Sequence, residues 1–119
     1  MIHHRFGSSL MSSMIVMVAA LAFAPVALAA DFDEAAAKAL AKRNDCFKCH
    51  AVDKTKKGPS YKKIAAKYKG KPDGEEKAIK NITTGPKVKL EDGTEEDHKI
   101  IDTKDSKEQK NLVHWILAQ

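Results

Sequence analysis

Apolar positions recur at helical spacing in four stretches of the chain after residue 30, and each stretch is bounded by residues that start or stop helices. Ala36, Ala37, Leu40 and Ala41 share one face of a predicted helix running from Glu34 to Asn44, with Lys38 and Lys42 opposite. Asp31 is the expected cap, and Glu34, three residues on, the return arm of a capping box. The small residues on that face let another helix approach closely. Ser60 is placed to cap a short helix through about Lys69, with Tyr61, Ile64, Ala65 and Tyr68 on its apolar side and Gly70 as its stop. After a turn at Pro72-Asp73-Gly74, Ala78, Ile79 and Ile82 mark a third helix that Gly85-Pro86 ends. The last is the most apolar: Leu112, Val113, Trp115, Ile116 and Leu117 form a broad face, Asp105 and Glu108 suit a capping box, and His114 falls on the polar side with Lys107 and Lys110.

Between the third and last helices the periodicity fades. Val88 and Leu90 alternate with lysines ahead of an Asp92-Gly93 turn, which predicts a brief hairpin-like excursion. The segment Ala51 to Lys57 has no period and reads as a loop closing at Gly58-Pro59. No repeat runs through the chain. The elements predict one all-α domain over residues 30–119.

The amino-terminal stretch is of another kind. Arg5, an apolar run from Met14 to Ala24 and the small-residue pattern Ala27-Leu28-Ala29 describe a secretory signal peptide spanning residues 1–29, with cleavage after Ala29 or Ala30. The apolar run is short for a membrane span and is followed by Pro25, so no stable membrane insertion is expected after cleavage. Export to the periplasm follows as the expected localisation. Some ninety residues remain, a small domain that gains from an additional apolar surface to pack on.

Chemistry enters at Cys46-Phe47-Lys48-Cys49-His50. Two thiols one helical turn apart, followed at once by an imidazole, form the pattern of a covalent haem attachment site. Each thiol can add across one porphyrin vinyl, and His50 then falls beneath the iron as proximal ligand. A dithiol redox pair or half a zinc site shares the Cys-x-x-Cys core. Neither fits as well, since no βαβ pattern surrounds the pair, the chain has only these 2 cysteines, and a redox dithiol does not need the histidine. A carbonyl at Pro59 is placed to accept the free ring N–H of His50 and fix its tautomer.

Charge divides the domain. From Ala35 to Lys71 there are 12 Lys or Arg against 2 acids, whereas from Pro72 to Gln119 there are 8 Lys against 11 acids. The half carrying the thiols is therefore basic. No nucleic-acid motif accompanies it, so a partner protein with an acidic docking face is the expected target rather than nucleic acid.

In their order these signals resemble the small bacterial class I cytochromes c, the mono-haem electron carriers: Cys46-x-x-Cys49-His50 after a first helix, Gly58-Pro59 ahead of a helix bearing Tyr61, and a final helix with Trp115. The resemblance spans nearly all of residues 30–119. It implies a cytochrome c-like fold in which the first and last helices cross around one covalently attached haem c. It also implies a Gly-Pro carbonyl bonded to the proximal histidine, and Pro59 and Tyr61 among the residues against the cofactor. It further implies an electron carrier rather than an enzyme, working between redox partner proteins, and a monomer is expected.

The chain departs from that family at one position of consequence. A methionine ahead of the last helix normally completes the iron's coordination, yet Met1, Met11, Met14 and Met17 all lie in the signal segment. His98, in the loop before the last helix, is the expected sixth ligand, with a vacant iron, Lys99 or another nitrogen donor as the alternatives. A nitrogen donor in place of the thioether lowers the potential, other factors equal. Two other functions stay open: a haem-based binder of a small gaseous ligand, which needs a labile sixth position, and a cytochrome subunit of a larger oxidoreductase.

Overall fold

The computed structural model describes residues 30–119, so the expected signal segment lies outside the described residues. Five helices and one short hairpin follow in the order α1 (Glu34–Arg43), α2 (Cys46–Cys49), α3 (Tyr61–Tyr68), α4 (Gly74–Thr84), β1 (Lys87–Lys89), β2 (Glu95–Asp97) and α5 (Ser106–Leu117). The domain is all-α apart from the hairpin, whose antiparallel register pairs Lys87 with Asp97 and Lys89 with Glu95. The acidic residues before His98 thus form the outer strand and tip of that hairpin, and an ion pair from Lys87 to Asp97 at 3.1 Å links its two strands.

The core lies where the first and last helices pack. The small face of α1, Ala37, Leu40 and Ala41, meets the apolar face of α5, where Leu112, Val113 and Trp115 are fully buried. Each large side chain removed from water here contributes about 1.5–3 kcal/mol. Tyr61 of α3 and Ala78 and Ile82 of α4 extend the same core.

The start of α1 differs from its expected form. Asp33, not Asp31, is the cap, accepting from Ala36 N–H at 3.0 Å. Asn111 of α5 holds the Asp33 backbone from both sides, donating to its carbonyl at 2.9 Å and accepting its N–H at 2.6 Å. A distant side chain thereby selects which aspartate starts the helix. At α5, Asp105 caps as expected, accepting from Lys107 N–H at 2.8 Å. Its own N–H donates to Thr103 Oγ1 at 3.1 Å, which takes the place of a return bond from Glu108. His114 is not on a purely polar face: it is half-buried, and its Nε2–H donates to Glu75 of α4 at 3.1 Å.

Helix α1 ends in a buried polar junction. Asn44, 2% exposed, donates to the Leu40 carbonyl at 3.0 Å and to Asp102 Oδ1 at 3.1 Å, and accepts from Asp102 N–H at 2.9 Å. Arg43 completes it with two bonds to the same carboxylate. The junction ties the residues just before the thiols to the segment just after His98. Asn44→Ala is expected to cost about 1–3 kcal/mol, because it strands a backbone donor; a chemical denaturation midpoint measures it. Arg43 first, then Asn44, holds the Asp102 carboxyl below its usual range. A carboxyl depressed in the folded chain stabilises above its unfolded pKa, and that contribution drains away as pH falls through its folded value. Asp102→Asn should therefore lower the melting temperature at neutral pH and flatten its decline in acid, as a pH series of melting curves would show.

Candidate haem site

Both thiols, both candidate imidazoles and a largely apolar wall open onto one cavity of about 690 Å³ between α2, α3, α4, the hairpin and α5. That size suits one bound organic cofactor. Ile64, Ile82, Ile101 and Leu112 are among the apolar residues that line it.

The thiols reach it through a break in the chain. Asp45 takes a left-handed conformation, φ 58°, which ends α1 and starts the single turn of α2 in a new direction. Aspartate is among the few residues that adopt this conformation readily. Cys46 and Cys49 then lie one turn apart, both partly buried and neither in a disulfide. Burial pushes the Cys46 thiol up from its ordinary value.

His50 leaves α2 in extended backbone and is held on several sides. Its Nδ1–H donates to the Pro59 carbonyl at 2.6 Å, which leaves Nε2 as the lone-pair nitrogen. Tyr61 stacks on the ring, centroids 5.5 Å apart at 26°. Gly58 closes a third side, since a Cβ there would stand 2.8 Å from His50 Cε1. Burial is the largest influence on the imidazole and lowers its pKa against the raising effect of the Pro59 bond. The ring is thus kept in the neutral form that can donate to a metal.

Tyr61 also meets Trp115 and Phe47 edge-on, at 5.2 and 6.0 Å. Its hydroxyl is buried with no hydrogen-bond partner among the described residues, and burial raises its pKa strongly. An orphaned donor at the wall of an apolar cavity is the environment expected where a further group completes the core. The donor set is equally specific: two thiols, a neutral imidazole and an apolar slot fit a covalently held metalloporphyrin, and no cluster of metal-binding side chains among the described residues competes with it.

The structure brings His98 to the same cavity. Its ring centroid is 6.1 Å from that of His50, the planes at 42°, and its Nδ1–H donates to the Lys99 carbonyl at 3.0 Å. His114, by contrast, is engaged with Glu75 beside a separate surface depression. Sequence reasoning missed Gly58, Gly85 and Asn44 as parts of the site and its support. The Gly58-Pro59 and Gly85-Pro86 pairs, read in the sequence as a loop end and a helix stop, were the available signal for the glycines, but Asn44 carried none.

Residues 34–119 match the family model described as Cytochrome c. The chain belongs to the cytochrome c family. Its members carry one covalent haem c and are electron carriers rather than enzymes. The class 1 cytochrome MtoD from Sideroxydans lithotrophicus ES-1 superimposes on the cytochrome with a TM-score of 0.70 and 57% sequence identity, over 73% of this chain and 96% of that one. Nitrosomonas europaea cytochrome c552 gives a TM-score of 0.52 at 32% identity, over 67% of this chain and 95% of that one. Cytochrome c-551 from Pseudomonas denitrificans is 42% identical over 48 residues, 40% of this chain and 58% of that protein. The cytochrome thus spans about half the length of the cytochromes c-551 it matches. These likenesses establish the class I fold and the cofactor of the family, and they leave the sixth ligand to this chain's own residues.

Proposed function

We propose that this cytochrome is an exported electron carrier in which Cys46 and Cys49 would anchor the haem and His50 and His98 would hold its iron. The carrying observation is the 6.1 Å between the two imidazole centroids within the cavity shared by both thiols. Two imidazoles bound to one metal through bonds of about 2 Å would have centroids about 6 Å apart. Each Nδ1–H is engaged by a backbone carbonyl, so each ring keeps its Nε2 lone pair.

Haem supplies a one-electron couple at iron when bound. With His50 and His98 both holding the iron, no position would be left for oxygen chemistry, which makes electron transfer the work this pocket suits. The protein's part is to hold both imidazoles, exclude water with the α3, α4 and α5 apolar faces and present a charged surface to partners. Spectra of both oxidation states, followed by carbon monoxide, test the reading. Six-coordinate low-spin iron that takes up carbon monoxide only slowly and weakly supports it; high-spin iron that binds the gas at once overturns it in favour of ligand sensing.

The partner reading rests on charge. Lysines from Lys54 to Lys71 are all exposed, and none pairs with a carboxylate among the described residues. Such a face attracts an acidic partner from a distance. The attraction reaches about 30 Å at 0.01 M salt and about 3 Å at 1 M. The second-order rate of electron exchange with an acidic partner should therefore fall steadily with ionic strength, as stopped-flow kinetics would show. A flat response removes the basic docking face. Export through residues 1–29 places this exchange in the periplasm, and among the described residues no helix is long and apolar enough to cross a membrane.

A further inference from the structure

Each candidate ligand stands against a Gly-Pro pair, and the two pairs grip differently. Gly58-Pro59 grips the His50 ring, through the bond to Nδ1 and the close approach at Cε1. Gly85-Pro86 grips the His98 backbone. The Pro86 carbonyl accepts the His98 N–H at 2.9 Å, and a Cβ on Gly85 would stand 2.9 Å from the His98 carbonyl oxygen and 2.9 Å from Ile100 Cγ1. Gly85 itself is left-handed, φ 62°, and closes α4. Three residues after His98, the buried Ile101 donates its N–H to the Ile82 carbonyl at 2.9 Å. Residues 98–101 are thus laid along the end of α4, where they use a carbonyl that a helix terminus leaves without an intrahelical partner.

We infer that Gly85 is a positioning residue for the distal ligand: the C-terminal end of α4 is the mount that sets the His98 backbone, and through it the hold of the imidazole on iron. The inference rests on the proposed ligation by His98. Its physical basis is that the crowded atom is a backbone carbonyl, which cannot swing aside as a side chain does. A methyl group at Gly85 must push that carbonyl away, and the imidazole follows, being only two torsions from its own backbone. No comparable grip exists on the ring, whose one hydrogen bond among the described residues goes to the neighbouring Lys99 carbonyl. The distal side is therefore the one that a change at α4 can open.

Gly93 provides the control. It is also left-handed, φ 85°, in the same hairpin region, but a Cβ there would meet nothing within 4 Å. Gly85→Ala and Gly93→Ala bear similar backbone strain, and only the first meets His98. In the haem-loaded proteins, Gly85→Ala should raise the high-spin fraction of ferric iron and speed carbon monoxide capture by the ferrous form about tenfold, the effect of a shift of about 1.4 kcal/mol in the open population. Gly93→Ala should match the parent. If Gly85→Ala fails to fold, Gly85→Asn carries the same steric test, since asparagine tolerates the left-handed backbone. A parent-like spectrum and capture rate in the Gly85 variant, alongside a high-spin His98→Ala, overturns the mount and spares the ligand. Equal changes in both glycine variants reduce the effect to backbone strain and also overturn it. An unchanged His98→Ala removes the ligand assignment itself, and the mount falls with it.

Discussion

His98→Ala should leave haem attached to the polypeptide and convert six-coordinate low-spin iron to a high-spin centre that captures carbon monoxide. Attachment survives because it rests on Cys46 and Cys49 of α2, apart from the hairpin that leads into His98. The change in spin follows from the loss of one of two strong nitrogen donors. An imidazole bound about 99% of the time lowers the apparent affinity of a competing ligand about a hundredfold, so its removal should raise carbon monoxide affinity by about that factor. His114→Ala should leave the spectra alone, since His114 is paired with Glu75. Absorption and magnetic resonance spectra of the two variants decide the matter. A His98 variant indistinguishable from the parent would transfer the sixth position to another donor, with Lys99 the nearest in sequence.

Gly58→Ala should be the most damaging single methyl group on the proximal side. The added carbon would stand 2.8 Å from His50 Cε1 and 3.2 Å from Nδ1. Nor can the ring retreat, because Tyr61 is stacked on it and the Pro59 carbonyl holds Nδ1. Overpacking of this kind costs about 1–3 kcal/mol. Here it acts on a ring that must also face iron, so the melting temperature should drop and the ferric spectrum should report a weakened axial field. Gly70→Ala separates the two effects. Gly70 is left-handed, φ 75°, and a methyl group there would meet nothing within 4 Å, so that variant should lose some stability and keep the parent spectrum. An intact spectrum in Gly58→Ala would show that the proximal loop yields more easily than its hydrogen bonds imply.

Much of the domain was legible because local rules govern it. Ser60 accepts from Lys63 N–H at the start of α3, and left-handed Gly85 ends α4, where the capping and stop signals placed them. The Asp92-Gly93 turn does return the chain as a hairpin, with Leu90 N–H donating to Thr94 O at 2.8 Å. Where the local rule erred, a distant residue shows why. Asp31 was the expected cap for α1, but Asp33 is the cap, its backbone held by Asn111, 78 positions away. Likewise the expected return bond from Glu108 loses to Thr103, which reaches the Asp105 N–H first.

The cofactor, and with it the two thiols proposed to anchor it, could be read from the sequence alone, because thioether attachment needs a spacing that a few adjacent residues specify completely. The lack of any methionine beyond Met17 was equally plain, and it left the sixth position to another donor or to none. Only the tertiary structure could bring His98, rather than His114, within 6.1 Å of His50, because that distance depends on a hairpin register and on the docking of residues 98–101 against α4. Short-range spacing survives in any fold; a long separation along the chain is closed only by the packing of everything between.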